Sequence, residues 1–237
     1  MRDTTTQRWR VLTLLLSLAL VLAACSSGDP VDVGETTTTA GGTDTTAPSD
    51  DGTDTTEPMA GGEMILIAAQ GAEPDRLDPH LTSAYASFQV LENVYDTLVQ
   101  PGPDLQMEPA LAESWEISDD NLTWTFTLRD GVTFHNGRAL TADDVVYSYN
   151  RIMDPDVGAA NSFRFASIES VEAPDDSTVV INLTRPTPNL LVNIGGFKGM
   201  AIIPQEIVDD GTIDTFPIGT GPFRFVSQSP DQGIVLE

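Results

Sequence analysis

Cysteine, histidine and positive charge are all scarce in this chain, which has one Cys, two His and eleven Lys or Arg among 237 residues. A single thiol excludes an internal disulfide framework. Neither His80 nor His135 has another His or Cys at metal-ligand spacing, so the usual zinc patterns have no ligand set. Against 36 acidic residues the few basic ones leave a net charge of −25. That balance argues against nucleic acid as a partner and against electrostatic attachment to anionic lipid. The apolar run from Val11 to Ala24 is interrupted by Thr13 and Ser17. At the helical rise its length is about 21 Å, short of the ~30 Å hydrocarbon core of a bilayer.

Arg2, Arg8 and Arg10 precede that run, and small residues close it. A positive start, a short apolar middle and a small-residue end are the parts of a secretory signal. The tetrapeptide Leu22-Ala23-Ala24-Cys25 resembles the lipobox of bacterial lipoproteins. The resemblance implies that residues 1–24 are removed, that Cys25 carries lipid, and that the protein is held on the extracytoplasmic face of the cell membrane, periplasmic or cell-surface. An uncleaved signal anchor is the alternative. One acyl chain holds only reversibly, whereas two or three on one cysteine make a lasting anchor. Without residues 1–24, which contain three Arg and one Asp, the charge moves from −25 to −27.

From Ser26 to Glu57 there is no Lys, Arg or aromatic residue, and Thr-Asp-Thr-Thr occurs at 43–46 and again at 53–56. Such a composition buries too little apolar surface to offset the entropy of ordering. Residues 25–62 are therefore expected to be a disordered tether reaching about 30–35 Å. Asn121-Leu122-Thr123 and Asn182-Leu183-Thr184 match the N-glycosylation triplet, but behind a bacterial lipobox chance explains them better.

The remainder reads as globular with mixed elements. Met64–Ala69 has the pattern of a buried strand, followed by turns at Glu73-Pro74-Asp75 and Asp78-Pro79. A helix is expected from Ser83 to Leu98, with Ala84, Phe88, Leu91, Tyr95 and Leu98 on one apolar stripe. Leu122, Trp124, Phe126 and Leu128 alternate with threonines, the signature of a half-buried strand, and Trp115–Ile117 is its expected hairpin partner. A second helix opens at Thr141, where Asp144 completes a capping-box pattern and Val145, Tyr149 and Ile152 face inward. A further hairpin joins Ser167–Glu172 to Thr178–Thr184 through Pro174-Asp175-Asp176. The class is α/β or mixed α+β.

Several residues invite a chemical reading and have a simpler one. Asp143-Asp144 sits at a helix start, where carboxylates suit capping and the helix dipole better than acid–base work. His135 lies in a turn and reads as a structural hydrogen-bonding group. Trp115 and Trp124 read as core aromatics. Gly219-Thr220-Gly221-Pro222 reads as a tight turn using backbone angles closed to other residues. No Gly-x-Ser-x-Gly elbow or similar nucleophile context appears. No catalytic residue, metal ligand or cofactor is assigned.

From Leu77 onward, a series of stretches resembles the extracytoplasmic solute-binding proteins of family 5, the dipeptide, oligopeptide and nickel binders of ABC importers. The matching stretches are Leu77-Asp78-Pro79-His80, Glu92 to Leu98, Pro109 to Trp115, Leu122 to Gly137, Leu140 to Val145, and Gly219 to Phe223. The resemblance implies a type II periplasmic-binding-protein-like clamshell. Residues 63–97 and 186–237 would form the first lobe, incomplete, and 98–185 an inserted small domain. Members usually run to about twice this length, so the second lobe is expected to be missing and the chain a fragment, a naturally short protein being the alternative. Also implied are capture of peptides or a similar small solute, delivery to a permease and ATPase complex, and a monomeric state. Ser83, Tyr85, Phe88, Gly196 and Phe197 become candidate ligand contacts. A surface sensor or adhesin lipoprotein, and a lipid-anchored hydrolase, stay open as alternatives. Nickel, heme, glycosides and opines compete with peptides as ligand.

Overall fold

The computed structural model describes residues 66–229 and 233–237. The expected signal segment 1–24, Cys25 and the expected tether 25–62 lie outside the described residues. Helix α1 spans Tyr85–Val94 and leads to two short antiparallel strands, β1 (Val99–Pro101) and β2 (Met107–Pro109). Next come β3 (Ala112–Ile117), β4 (Thr123–Leu128), helix α2 (Ala142–Met153), β5 (Ile168–Asp175) and β6 (Thr178–Leu183). Short helices α3 (Leu190–Gly195) and α4 (Gln205–Asp209) precede the hairpin strands β7 (Phe225–Ser229) and β8 (Gly233–Leu236).

The central sheet is antiparallel in the order β3-β4-β6-β5. Its register follows from the alternation in β4, where Trp124 and Phe126 lie opposite Ile181 and Val179 of β6. A one-residue slip would carry all four to the polar face, so the pairing is strongly specified. Asn121 closes the β3–β4 turn at φ 59°, a left-handed conformation that Asn tolerates. Helix α2 covers the sheet with Val145, Tyr149 and Ile152, all completely buried. At its start the Asp144 carboxylate accepts the Thr141 N–H at 3.0 Å. The Thr141 hydroxyl donates to that same carboxylate at 3.3 Å.

Among the described residues two hydrophobic cores form. The larger joins Leu98 and Val99 to the sheet, α2 and Phe165, and takes Leu190, Ile194, Met200 and Ile202 from the chain beyond the sheet. The smaller packs Leu77, Val90, Leu91, Val94 and Tyr95 against Ala201, Ile203, Ile207, Ile213 and Phe225.

Three expectations are corrected. Residues 66–70 form no strand, and Leu66 and Ile67 are 92% and 89% exposed. A strand needs a neighbour for its backbone groups, and no described strand pairs with this stretch. The first helix is Tyr85–Val94, shorter than Ser83–Leu98, because Tyr95 turns extended (φ −118°, ψ 154°) and sends the chain into β1. Its buried face is Ala86, Ser87, Val90, Leu91 and Val94, rotated from the stripe through Ala84 and Phe88. Finally, Gly219 and Gly221 do not use left-handed angles. Close approach to α1 demands them, since a Cβ on Gly219 would stand 2.0 Å from the Val94 carbonyl oxygen and one on Gly221 2.6 Å from that of Asn93.

Candidate ligand-binding site

The loop before α1 is tied by short polar contacts. The hydroxyls of Ser87 and Thr82 donate to the Asp75 carboxylate at 2.6 and 2.7 Å, and Thr82 Oγ1 accepts the Ala84 N–H at 3.0 Å. The bond from Ser87, then that from Thr82, holds the Asp75 carboxyl below its ordinary range. This tie presents Ser83 and Tyr85 at the helix start, both exposed, Tyr85 to 76%.

Phe88, one turn further on, meets Phe197 edge to face, with ring centroids 5.2 Å apart at 86°. Gly196 lies beside Phe197 at the end of α3. Its neighbour Gly195 lets that end touch β1, since a Cβ there would stand 2.0 Å from the Val99 carbonyl oxygen. A Cβ on Gly199 would sit 2.4 Å from the Phe197 ring, so glycine makes room for the aromatic pair. Among the five candidates, then, the structure brings Phe88 and Phe197 into contact, places Gly196 next to Phe197 in the chain, and leaves Ser83 and Tyr85 exposed.

Around this pair the polar groups come from distant segments. Asp96 accepts from Lys198 Nζ at 3.2 Å and from the Thr220 hydroxyl at 3.1 Å. The Arg164 guanidinium lies 5.1 Å from the Phe197 ring centroid and 5.4 Å from that of Phe163, within cation–π range of both. Sequence reasoning missed Arg164. Its only local sign is an arginine set between two phenylalanines, Phe163-Arg164-Phe165.

The histidines are both structural. His135 Nε2–H donates to the Gly221 carbonyl at 2.9 Å, and its Nδ1 accepts the Gly219 N–H at 3.4 Å. His80 Nε2–H donates to the Ala201 carbonyl at 2.9 Å, which leaves Nδ1 to accept from Arg151 at 2.8 Å. Burial pulls the His80 pKa down to about 4, and the Arg151 charge adds to the effect. Asp144 is committed to its helix start and to Arg138, 2.6 Å away, so Asp143-Asp144 does not act as a free carboxylate pair. Trp124 is buried in the sheet core and Trp115 packs against its edge.

A mixed α/β unit of this kind, built around a four-stranded antiparallel sheet, is part of a type II periplasmic-binding-protein fold. Residues 106–237 match the family of bacterial extracellular solute-binding proteins, family 5, in its middle region, and the chain belongs to that family. It is 33% identical over 198 residues to the dipeptide-binding protein DppE of Bacillus subtilis, covering 74% of this chain and 36% of the relative. It is 39% identical over 178 residues to heme-binding protein A of Haemophilus influenzae, covering 65% and 32%. The chain thus spans about a third of the length of these curated relatives.

Solved structures agree. The mannopinic acid complex of MoaA from A. tumefaciens R10 matches with TM-score 0.64 and 39% identity over 68% of this chain and 34% of that one. OppA of Haemophilus influenzae in complex with the peptide RPPGFSPFR matches with TM-score 0.64 and 28% identity over 70% and 36%. Among the described residues no helix is long and apolar enough to cross a membrane.

Proposed function

We propose that this chain serves as a substrate-binding lipoprotein of an ABC importer. It captures a peptide or similar small solute outside the cell and delivers it to a membrane permease driven by a cytoplasmic ATPase. The observation that carries this reading is family membership across residues 106–237. Likeness to a peptide-bound structure over 70% of the chain supports it. Capture is a hinge closure in which the solute stabilises the closed state, and the chain catalyses no reaction.

In this reading residues 1–24 direct export, lipid on Cys25 holds the protein at the outer face of the membrane, and 25–62 are a tether. Residues 98–185 form the inserted small domain and 63–97 with 186–237 belong to the first lobe. Phe88, Gly196 and Phe197 supply an apolar wall to the solute, with Ser83 and Tyr85 at its rim. The protein works as a monomer.

Deleting the gene and following uptake of a labelled dipeptide or tripeptide mixture tests the transport role. Reduced uptake, restored by the wild-type gene, is expected. Unchanged uptake for every solute tried would favour a surface sensor or adhesin lipoprotein instead. Labelled palmitate reads the anchor separately: incorporation is expected in the wild type and absent in Cys25→Ala.

A further inference from the structure

We propose that a concavity of about 250 Å³ between the turn at 162–167 and the segment 185–193 binds the carboxylate of a small anionic ligand. Two arginines, Arg164 and Arg185, line it together with Ser167, Thr187, Asn189 and Asn193. No Asp or Glu is among its lining residues, in a chain where acidic residues outnumber basic ones 36 to 11. Thr187 Oγ1 already donates to the Arg185 carbonyl at 3.1 Å and Asn189 Nδ2 to Asn193 Oδ1 at 3.3 Å. The donors left for a planar carboxylate are therefore chiefly the two guanidinium groups, with the Ser167 hydroxyl and the Asn193 amide.

The cations are available. Among the described residues Arg138, Arg151, Lys198 and Arg224 are held in salt bridges, whereas Arg164 and Arg185, like Arg76 and Arg129 outside the concavity, are in none. Arg164 is positioned by its contacts with the rings of Phe163 and Phe197. Its Nε is buried without a hydrogen-bond partner, so one donor of the guanidinium is left unsatisfied by the protein. Pro186 and Pro188 flank Thr187 in the opposite wall. Their fixed φ angles stiffen the segment that carries Arg185, which lowers the cost of ordering it around a ligand.

The contact between Arg164 and Phe197 joins this concavity to the Phe88–Phe197 pair. The proposal therefore gives a ligand class to the solute-binding reading, but its test reads binding alone. Loss of transport leaves it standing, and failure to bind leaves the transport reading standing.

The purified chain is titrated with succinate at constant ionic strength, NaCl making up the balance, and amide NMR shifts are followed. Saturable shifts at Ala166, Thr187, Asn189 and Asn193 are expected. Arg185→Gln and Arg164→Gln should each weaken binding about tenfold or more, as loss of a charge-assisted hydrogen bond implies. Arg185 is exposed, so its variant keeps the fold even if Arg164→Gln loosens the aromatic contacts. Arg129→Gln, outside the concavity, should bind as the wild type does. Absence of saturable shifts, or equal affinity in Arg185→Gln, would overturn the proposal. Saturation by inorganic phosphate but not by succinate would overturn the carboxylate assignment.

Discussion

Arg151, in the last turn of α2, places Nη2 2.6 Å from Oδ2 of Asp78 and Nη1 3.2 Å from Oδ1, a two-pronged ion pair. The two side chains are 10% and 1% exposed. The pair joins the helix that covers the sheet to the turn that enters the smaller core. Asp78 Oδ1 also accepts the His80 N–H at 3.0 Å, and the backbone N–H of Asp78 donates to Asp214 at 2.9 Å.

Removing one partner of such a pair leaves a buried charge uncompensated. Arg151→Met is expected to lower unfolding free energy by about 3–5 kcal/mol. Adding Asp78→Asn should recover part of that loss, since the neutral amide keeps an acceptor for the His80 N–H. Urea unfolding of the single and double variants measures the coupling, and strictly additive losses would show that the pair is not a unit.

His80 makes stability depend on pH. Its folded pKa, near 4, lies below the ordinary value of 6.5 because the ring is buried and faces Arg151. As pH falls below 6.5 the unfolded chain takes up a proton that the native ring refuses, so stability is lost through the window from 6.5 to about 4. The full effect is on the order of 3 kcal/mol. His80→Gln keeps a donor for Ala201 and an acceptor for Arg151. Unfolding midpoints at pH 7.5 and 4.5 should differ less in that variant, and an unchanged difference would assign the pH dependence to other groups.

Gly219→Ala should destabilise the chain by about 1–3 kcal/mol, the usual cost of overpacking. The added methyl meets the Val94 carbonyl, a backbone atom at the end of α1 that has little freedom to move. Gly131→Ala is a useful contrast, because its φ of 74° imposes backbone strain with no neighbour within 4 Å. Crystal structures of the two variants should show displacement at α1 only for the first.

Tyr85 and Phe197 should separate sharply in stability. Tyr85→Ala removes an exposed ring and should change unfolding free energy by less than about 0.5 kcal/mol. Phe197→Ala removes the edge contact with Phe88 and a platform for Arg164, and should cost about 2–4 kcal/mol. A large loss in Tyr85→Ala would mean that its side chain packs against something in solution.

Regular periodicity made much of the sheet legible. Trp124, Phe126 and Leu128 are buried as their alternation with threonine requires, and α2 starts at Ala142 with Asp144 at its expected place. The extended backbone at Tyr95 was not legible. Its ring fits a helical stripe equally well, and only packing in the smaller core decides that the chain leaves the helix there. Of the candidate site, Phe88 and Phe197 could be selected individually, but their mutual contact and Arg164 could not.

The alternating faces of the sheet, the capped start of α2, the acidic balance and the family resemblance can all be read from the order of residues. All of these are local or compositional, written in spacing and residue type. Chain order does not reveal that Arg151 meets Asp78 across 73 positions, that Gly219 is needed for an approach to Val94, or that the Arg164 guanidinium lies 5.1 Å from the Phe197 ring centroid. Charge pairing, steric clearance and ring contact depend on distance in space, which is set only when the two cores close.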